Sequence, residues 1–463
     1  MKKIIYPKKI INDKPEWMTL LEKNDLQIGV EEVKLAHFQK GDYLILDFSI
    51  ELCGGVRILT YQANNIPVRI RFGESLTECC AELGGEKNAT NDHSLRDFIV
   101  CLQDYSDMTF GNTGFRFVRI DFTGEVQIKS IVALNHILNR KPLFIYNGED
   151  ERIKNIFLTA KRTIDLCASG EYLWDGIKRD RLVWVGDIYP EMLALTTLYG
   201  RMKIIERSLE FVRKQTPLPK WMNWYPMYSM WWIITIADYL AITGAEDFAA
   251  KQIVYISDLV KTMLQYVSEE GETIYPLNFV DWPTHETSDE LQGVRAINII
   301  AAKKAIELLS HFNENCDDAT ELLSRLLKKG IKVEKSKSVL GLKYLAVGLD
   351  KEDEQKLLVG GAEGMTTFMS YYILKAVASF DKKSALNMLK EYYGGMLDKG
   401  ATTFWEDFNV KWVNESCRID EFPMNNQKDI HGDFGAYCYI GFRHSLCHGW
   451  SAGIIKFIRD ENL

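Results

Sequence analysis

The chain has 463 residues, room for two or three domains of ordinary size. Its 46% hydrophobic and 26% charged content is that of a globular protein. The net charge of -8 argues against a nucleic-acid or anionic-membrane partner and suits a neutral one such as a sugar. Residues 1–140 read as strands. Tyr43–Leu52, Val68–Phe72 and Phe115–Phe122 partly alternate apolar and polar side chains, and Gly/Asn/Asp clusters separate them. Short strands with turn signals predict an antiparallel β-sandwich.

The character changes near Asn147. Ile153, Ile156, Phe157, Ala160 and Ile164 recur at helical spacing, with Asn147 or Asp150 as cap and Gly170 as terminator. Helices are predicted beyond it at 189–199, 230–242, 248–267, 293–312, 317–329, 366–379 and 384–393. So many helices joined by short loops suit a stack of helical hairpins or a closed helical barrel. No fixed-period repeat is visible, which disfavours a regular solenoid.

The nine cysteines are scattered, odd in number and free of CxxC pairs. This predicts neither a disulfide framework nor a zinc site, and points to a reducing, cytoplasmic setting. Neither a signal-peptide core nor a run of about 18 apolar residues is present, so no membrane association is expected.

Ten of the eleven tryptophans lie from Trp174 onward, several beside carboxylates: Trp174–Asp175, Asp281–Trp282 and Trp405–Glu406. Such tryptophans fit a helical core. They also fit a sugar site, where a ring's apolar face stacks on an aromatic and its hydroxyls need carboxylates. The loop WDGIKRDRLVWVGDIYPE (174–191) carries Asp175, Asp180 and Asp187 among Lys178, Arg179, Arg181 and two tryptophans. A purely solvated loop has no need of those tryptophans, and a partly buried carboxyl can have the raised pKa of a general acid. GATTFWEDF (400–408) presents Glu406 and Asp407 between aromatics; its other reading is a helix N-terminus with acids in the first turn. In RHSLCHGW (443–450), His444 and His448 are four apart without the Glu of a metalloprotease motif, which favours a structural or substrate-binding role over a metal. Phosphate loops and serine elbows are missing from the sequence. A set dominated by carboxylates and aromatics points to glycosidic-bond chemistry.

At these stretches the chain resembles the α-L-rhamnosidases, six-hairpin glycosidases. The family's loop Asp-Cys-Pro-x-Arg-Glu-Glu-Arg-x-x-Trp-x-Gly-Asp is matched by DGIKRDRLVWVGD through Asp175, Arg179, Trp184, Gly186 and Asp187. GATTFWE matches the family's GATT-hydrophobic-WE element, CHGWSAG (447–453) its late element and Asp281–Trp282 its DW element. RFGESL (71–76) and GFRFVRI (114–120) resemble its β-sandwich domain. The resemblance implies a β-sandwich of residues 1–140 followed by an all-α (α/α)6 barrel of residues 145–463. It implies an inverting hydrolase of terminal α-L-rhamnosides with Asp180 as general acid and Glu406 as general base. Asp175, Arg179, Trp184, Asp187, Asp281, Trp282, Trp405 and His448 would bind the sugar, with no cofactor or metal. The acid loop departs from the pattern: it is one residue shorter, Gly176–Ile177 replace Cys-Pro, and the acid is Asp rather than Glu. The compact form resembles intracellular members acting on short glycosides. Another sugar as substrate, a catalytically silent carbohydrate-binding relative and a helical interaction scaffold are the competing readings.

Overall fold

The structure, a computed structural model, describes residues 2–12, 14–31, 34–179, 181–424 and 426–463. Asp180 lies outside the described residues. The first part is built from strands β1 (Lys2–Ile5), β2 (Lys9–Ile10), β3 (Ala36–Phe38), β4 (Tyr43–Gln62), β5 (Ile66–Gly73), β6 (Asp97–Leu102), β7 (Ser106–Phe122) and β8 (Val126–His136), with the short helix α1 (Leu76–Cys80) after β5. All are paired antiparallel in the order β1-β8-β4-β7-β5-β6, with β2 added to β4 and β3 to β8. The first half of β4 pairs with β2 and its second half with β8, and register breaks at Asp47/Leu52 and Gly54/Val56 divide the two. Such breaks bend a long strand and let one network wrap around its own apolar side chains. Those are Leu44, Leu46, Val56, Ile58, Phe115, Val118, Ile120, Ile128 and Ile131, all buried.

Helices follow: α2 (Glu151–Cys167), α3 (Val185–Tyr199), α4 (Lys203–Gln215), α5 (Pro226–Thr243), α6 (Glu246–Ala249), α7 (Ile253–Leu264), α8 (Glu290–His311), α9 (Asp317–Leu327), α10 (Lys337–Val347), α11 (Lys351–Leu358), α12 (Ser370–Ala378), α13 (Lys382–Asp398) and α14 (Ile454–Asp460). Contacts run from α3 to α5, α8, α10, α12 and α14, and from α14 back to α3, closing a ring. Helices α2, α4, α7, α9, α11 and α13 alternate with these along the chain and pack outside them. Sequence obeys this division. Every residue of α3 is buried, as are nearly all of α5, because an inner helix touches protein on all sides. Helices α4 and α9 bury a single stripe, Ile204, Ile205, Leu209 and Val212 in the first.

The predicted helices are present with shifted ends. Asp150, not Asn147, caps α2 by accepting the N–H groups of Arg152 and Ile153. The segment 248–267 is interrupted at Ala250–Gln252 by a tighter turn. The helix predicted from 366 begins at Ser370. Among the described residues no helix is long and apolar enough to cross a membrane.

Candidate active site

The segments leading from outer helices into α3, α5 and α8 and the long segment before α14 meet at one end of the ring. Backbone bonds lace the segment before α14 to itself and to the segment leading into α3. Gly176 bridges His448, Gly449 N–H donates to the Asp175 carbonyl at 2.6 Å, His448 N–H to the Phe404 carbonyl at 3.0 Å, and Glu406 N–H to the Ser445 carbonyl at 2.9 Å. This lacing brings residues far apart in sequence to one place. Gly114 on β7 touches the same loop: a Cβ there would lie 2.9 Å from the Lys178 nitrogen, so the glycine lets the sheet approach.

The lacing surrounds a cavity of about 440 Å3, counting the space open to solvent. Its floor carries Asp175, Asp187, Glu406 and His448; its walls are Trp184, Tyr225, Tyr228, Phe279, Trp282, Tyr439 and Trp450. The Glu406 carboxylate is buried and doubly held. Arg179 donates to Oε1 at 2.8 Å and Ser445 N–H to Oε2 at 3.0 Å. Trp450 Nε1 donates to the Glu406 carbonyl at 3.0 Å, fixing the backbone beneath it. His448 Nε2 lies 3.8 Å from Glu406 and 3.9 Å from Asp187. Asp187 sits in the first turn of α3, where the helix dipole favours negative charge. Asp175 accepts the N–H of Leu182 at 3.0 Å and so shapes the turn that follows position 180.

Neighbouring titrating groups are strongly perturbed. Burial, together with the charges of Glu406 and Asp281, raises Asp407 to about 6. Glu191, one turn along α3 from Asp187, is pushed well above the carboxylate range by burial and by the charges of Asp187 and Asp175. Burial and the nearby positive charges hold His444 well below its ordinary value; its Nε2 accepts the Asp407 N–H at 2.9 Å.

Among the described residues, two groups of side chains could hold a metal. Asp175, Asp187 and His448 bring ligand atoms within 4.8 Å of one another, and so do Glu74, Glu78 and His431. In the second group an ammonium already fills the space: Lys178 Nζ lies 3.1 Å from Glu74, 3.2 Å from Glu78 and 3.3 Å from His431 Nε2.

No protein-family model matches the chain, and no curated protein sequence does. Solved structures do. A rhamnosidase from Klebsiella oxytoca with rhamnose bound superposes with a TM-score of 0.78 at 18% identity, covering 100% of this chain and 96% of that one. A GH78-family rhamnosidase from Bacillus sp. GL1 gives 0.73 at 16%, covering 97% and 49%. An α-L-rhamnosidase from Streptomyces avermitilis complexed with L-rhamnose gives 0.65 at 15%, covering 98% and 43%. The chain has the fold of the α-L-rhamnosidases. It spans nearly all of the first of these rhamnosidases and about half of the other two.

Within this rhamnosidase fold, the structure gathers Asp175, Trp184, Asp187, Trp282, Glu406 and His448 at the cavity and places Arg179 against Glu406. Arg179, expected to bind the sugar, donates to Glu406. Two expectations need correction. Trp405 is fully buried, its ring packed against Phe408 and His444, and does not wall the cavity. Trp450 stands there instead. Asp281 does not reach the cavity either. It caps the turn Trp282–Thr284 and accepts from Thr284 N–H at 3.0 Å, the Ser338 hydroxyl at 2.6 Å and the Thr366 hydroxyl at 3.1 Å. Its work is to aim Trp282. His444 and His448 lie on irregular backbone, not on one helix, and do different jobs. Tyr225, Tyr228, Phe279 and Tyr439 were missed, because aromatic residues entering a buried helix or an irregular loop carry no signal that separates wall from core.

Proposed function

We propose that this chain is an inverting glycoside hydrolase that releases terminal α-L-rhamnose from short glycosides. The observation that carries the reading is the convergence of Glu406, Asp175, Asp187 and His448 on one aromatic-walled cavity within a fold that rhamnose-bound rhamnosidases also adopt. We assign residues 1–140 to a β-sandwich domain and 145–463 to an (α/α)6 barrel. The closed contact ring, with outer and inner helices alternating along the chain, supports the barrel.

In this reading Asp187 and Asp175 accept the sugar hydroxyls, His448 donates to one, and Trp184, Trp282 and Trp450 cover the apolar faces. Glu406, oriented by Arg179, takes a proton from the attacking water. Asp180, assigned from the resemblance alone, protonates the leaving oxygen. An inverting pair needs about 6.5–9.5 Å between its carboxyl groups to admit that water. The cavity chemistry calls for no metal or cofactor in this scheme.

The test is release of rhamnose from an aryl α-L-rhamnoside with the first-formed anomer followed by NMR. β-Rhamnose as first product is expected. The α-anomer would replace inversion by retention, and absence of rhamnose release alongside hydrolysis of another aryl glycoside would change the sugar. Asp180→Asn should remove nearly all turnover while the protein stays folded.

A further inference from the structure

Resting on the reading of the cavity as a sugar site, the geometry points to a second binding surface beside it, which we propose holds the leaving-group half of the glycoside through a flat, hydroxyl-bearing ring. The surface is a groove of about 1440 Å3, counting the space open to solvent, between the segment leading into α3 and the segment leading into α5. Trp184 is the partition. It lines both spaces, meeting Tyr228 of the cavity edge-on at 6.1 Å and Trp224 of the groove edge-on at 6.2 Å. A glycoside whose sugar fills the cavity therefore leads its other half past Trp184 into the groove.

Trp224 has no structural explanation otherwise. It is 77% exposed, so it adds little to the core. It also occupies the left-handed region at φ 69°, directly after Asn223 at φ 49°. Asparagine tolerates that region, but a tryptophan is strained there. The strained turn is bolted in place. Asn223 Oδ1 accepts the first N–H of α3, from Val185, at 3.0 Å, and Asn223 Nδ2 donates to the Val183 carbonyl at 3.2 Å. These bonds tie the turn to the candidate acid loop itself. Trp221, wedged edge-on between Tyr266 and Tyr275, gives the groove a rigid second aromatic, and Gln215 and Lys220 supply polar ends for ring hydroxyls. Strain kept at an exposed aromatic beside a binding cavity is the signature of a ligand platform. A phenolic aglycone and a second sugar unit share the required chemistry, an apolar face with a hydroxylated rim.

The experiment compares the full chain with Trp224→Gly and Trp224→Ala. Each is assayed on α-L-rhamnosyl fluoride, whose leaving group is too small for the groove, on a flavonol rhamnoside and on a rhamnosyl-glucose disaccharide. The ratio of kcat/KM on the extended substrate to that on the fluoride should fall about tenfold in both variants, as loss of an aromatic stack implies. The substrate showing the fall identifies the ring. Trp224→Gly should melt at or above the wild-type temperature, since glycine relieves the positive φ. An equal fall on all substrates, or an unchanged ratio, overturns the proposal. If the wild-type chain hydrolyses no rhamnoside, the sugar assignment fails separately. Calorimetric titration with free flavonol and with methyl glucoside then decides the groove: binding to wild type that Trp224→Gly abolishes supports it, and no binding, or equal binding, overturns it.

Discussion

Around Lys178, Glu74 and Glu78 share one ammonium, Arg96 reaches Glu78, and Leu446 N–H donates to Glu74 at 2.6 Å. The two carboxyls are driven apart. Glu78 is held down at about 2 by Lys178 and Arg96 against its burial, while burial and the charge of Glu78 raise Glu74 to about 7. His431, at about 4, is neutral. Around the cavity, one residue further along the same loop, Arg179 turns the other way to Glu406, and Asp175 and Asp187 line the cavity. Both clusters combine carboxylates, a basic side chain and a histidine. One is closed on its own cation and ties sheet to helices; the other is aimed at a cavity. Buried charges closed on one another build a scaffold, and perturbed charges lining a cavity mark a candidate site.

The comparison breaks first at Glu406. Glu406→Gln keeps the shape of the site and should lower kcat on an aryl rhamnoside about 10³-fold or more, with little change in melting temperature. Activity within tenfold of wild type would move Glu406 into the scaffold class. Lys178→Met should do the reverse, leaving Glu74 and Glu78 without their shared cation. A loss of about 3–5 kcal/mol in urea unfolding is expected, and a chain as stable as wild type would show that the cluster is not what joins the two regions. Asp407 sharpens the contrast through pH. The fold favours its protonated form, so its stabilisation is complete below the ordinary aspartate value near 4 and is lost as pH rises through about 6. Asp407→Asn, neutral at every pH, should match wild type at pH 4 and exceed it above pH 6 by about 2–3 kcal/mol. Equal unfolding curves at pH 7 would contradict the raised value. The smallest effect is expected at Ser338→Ala. Loss of its bond to Asp281 should cost about 1–2 kcal/mol and change kcat/KM less than threefold, because Asp281 supports Trp282 rather than touching sugar.

Local patterns were readable. Alternation marked the central strands, helical spacing and an aspartate cap marked α2, and acid–aromatic neighbours marked the stretches that carry Asp175, Trp282 and Glu406, though not the one entering α5. Helix α4 was overlooked between Gly200 and Pro217 although its apolar stripe is regular, and α10 and α12 are apolar on most sides, so periodicity could not show where they begin.

The sequence by itself determined which segments bear chemistry, since residue type and nearest-neighbour pairing are local properties. Tertiary structure alone decided which member of each pair faces the cavity. Trp405 and Glu406 are adjacent, as are Asp281 and Trp282, yet in each pair one side chain is inside the protein and the other in the site. That choice depends on backbone bonds between distant segments, such as Glu406 N–H to Ser445 and Gly449 N–H to Asp175, and on the hydroxyls that Ser338 and Thr366 bring to Asp281. Hydrogen bonds of this kind form only once the ring of helices has closed.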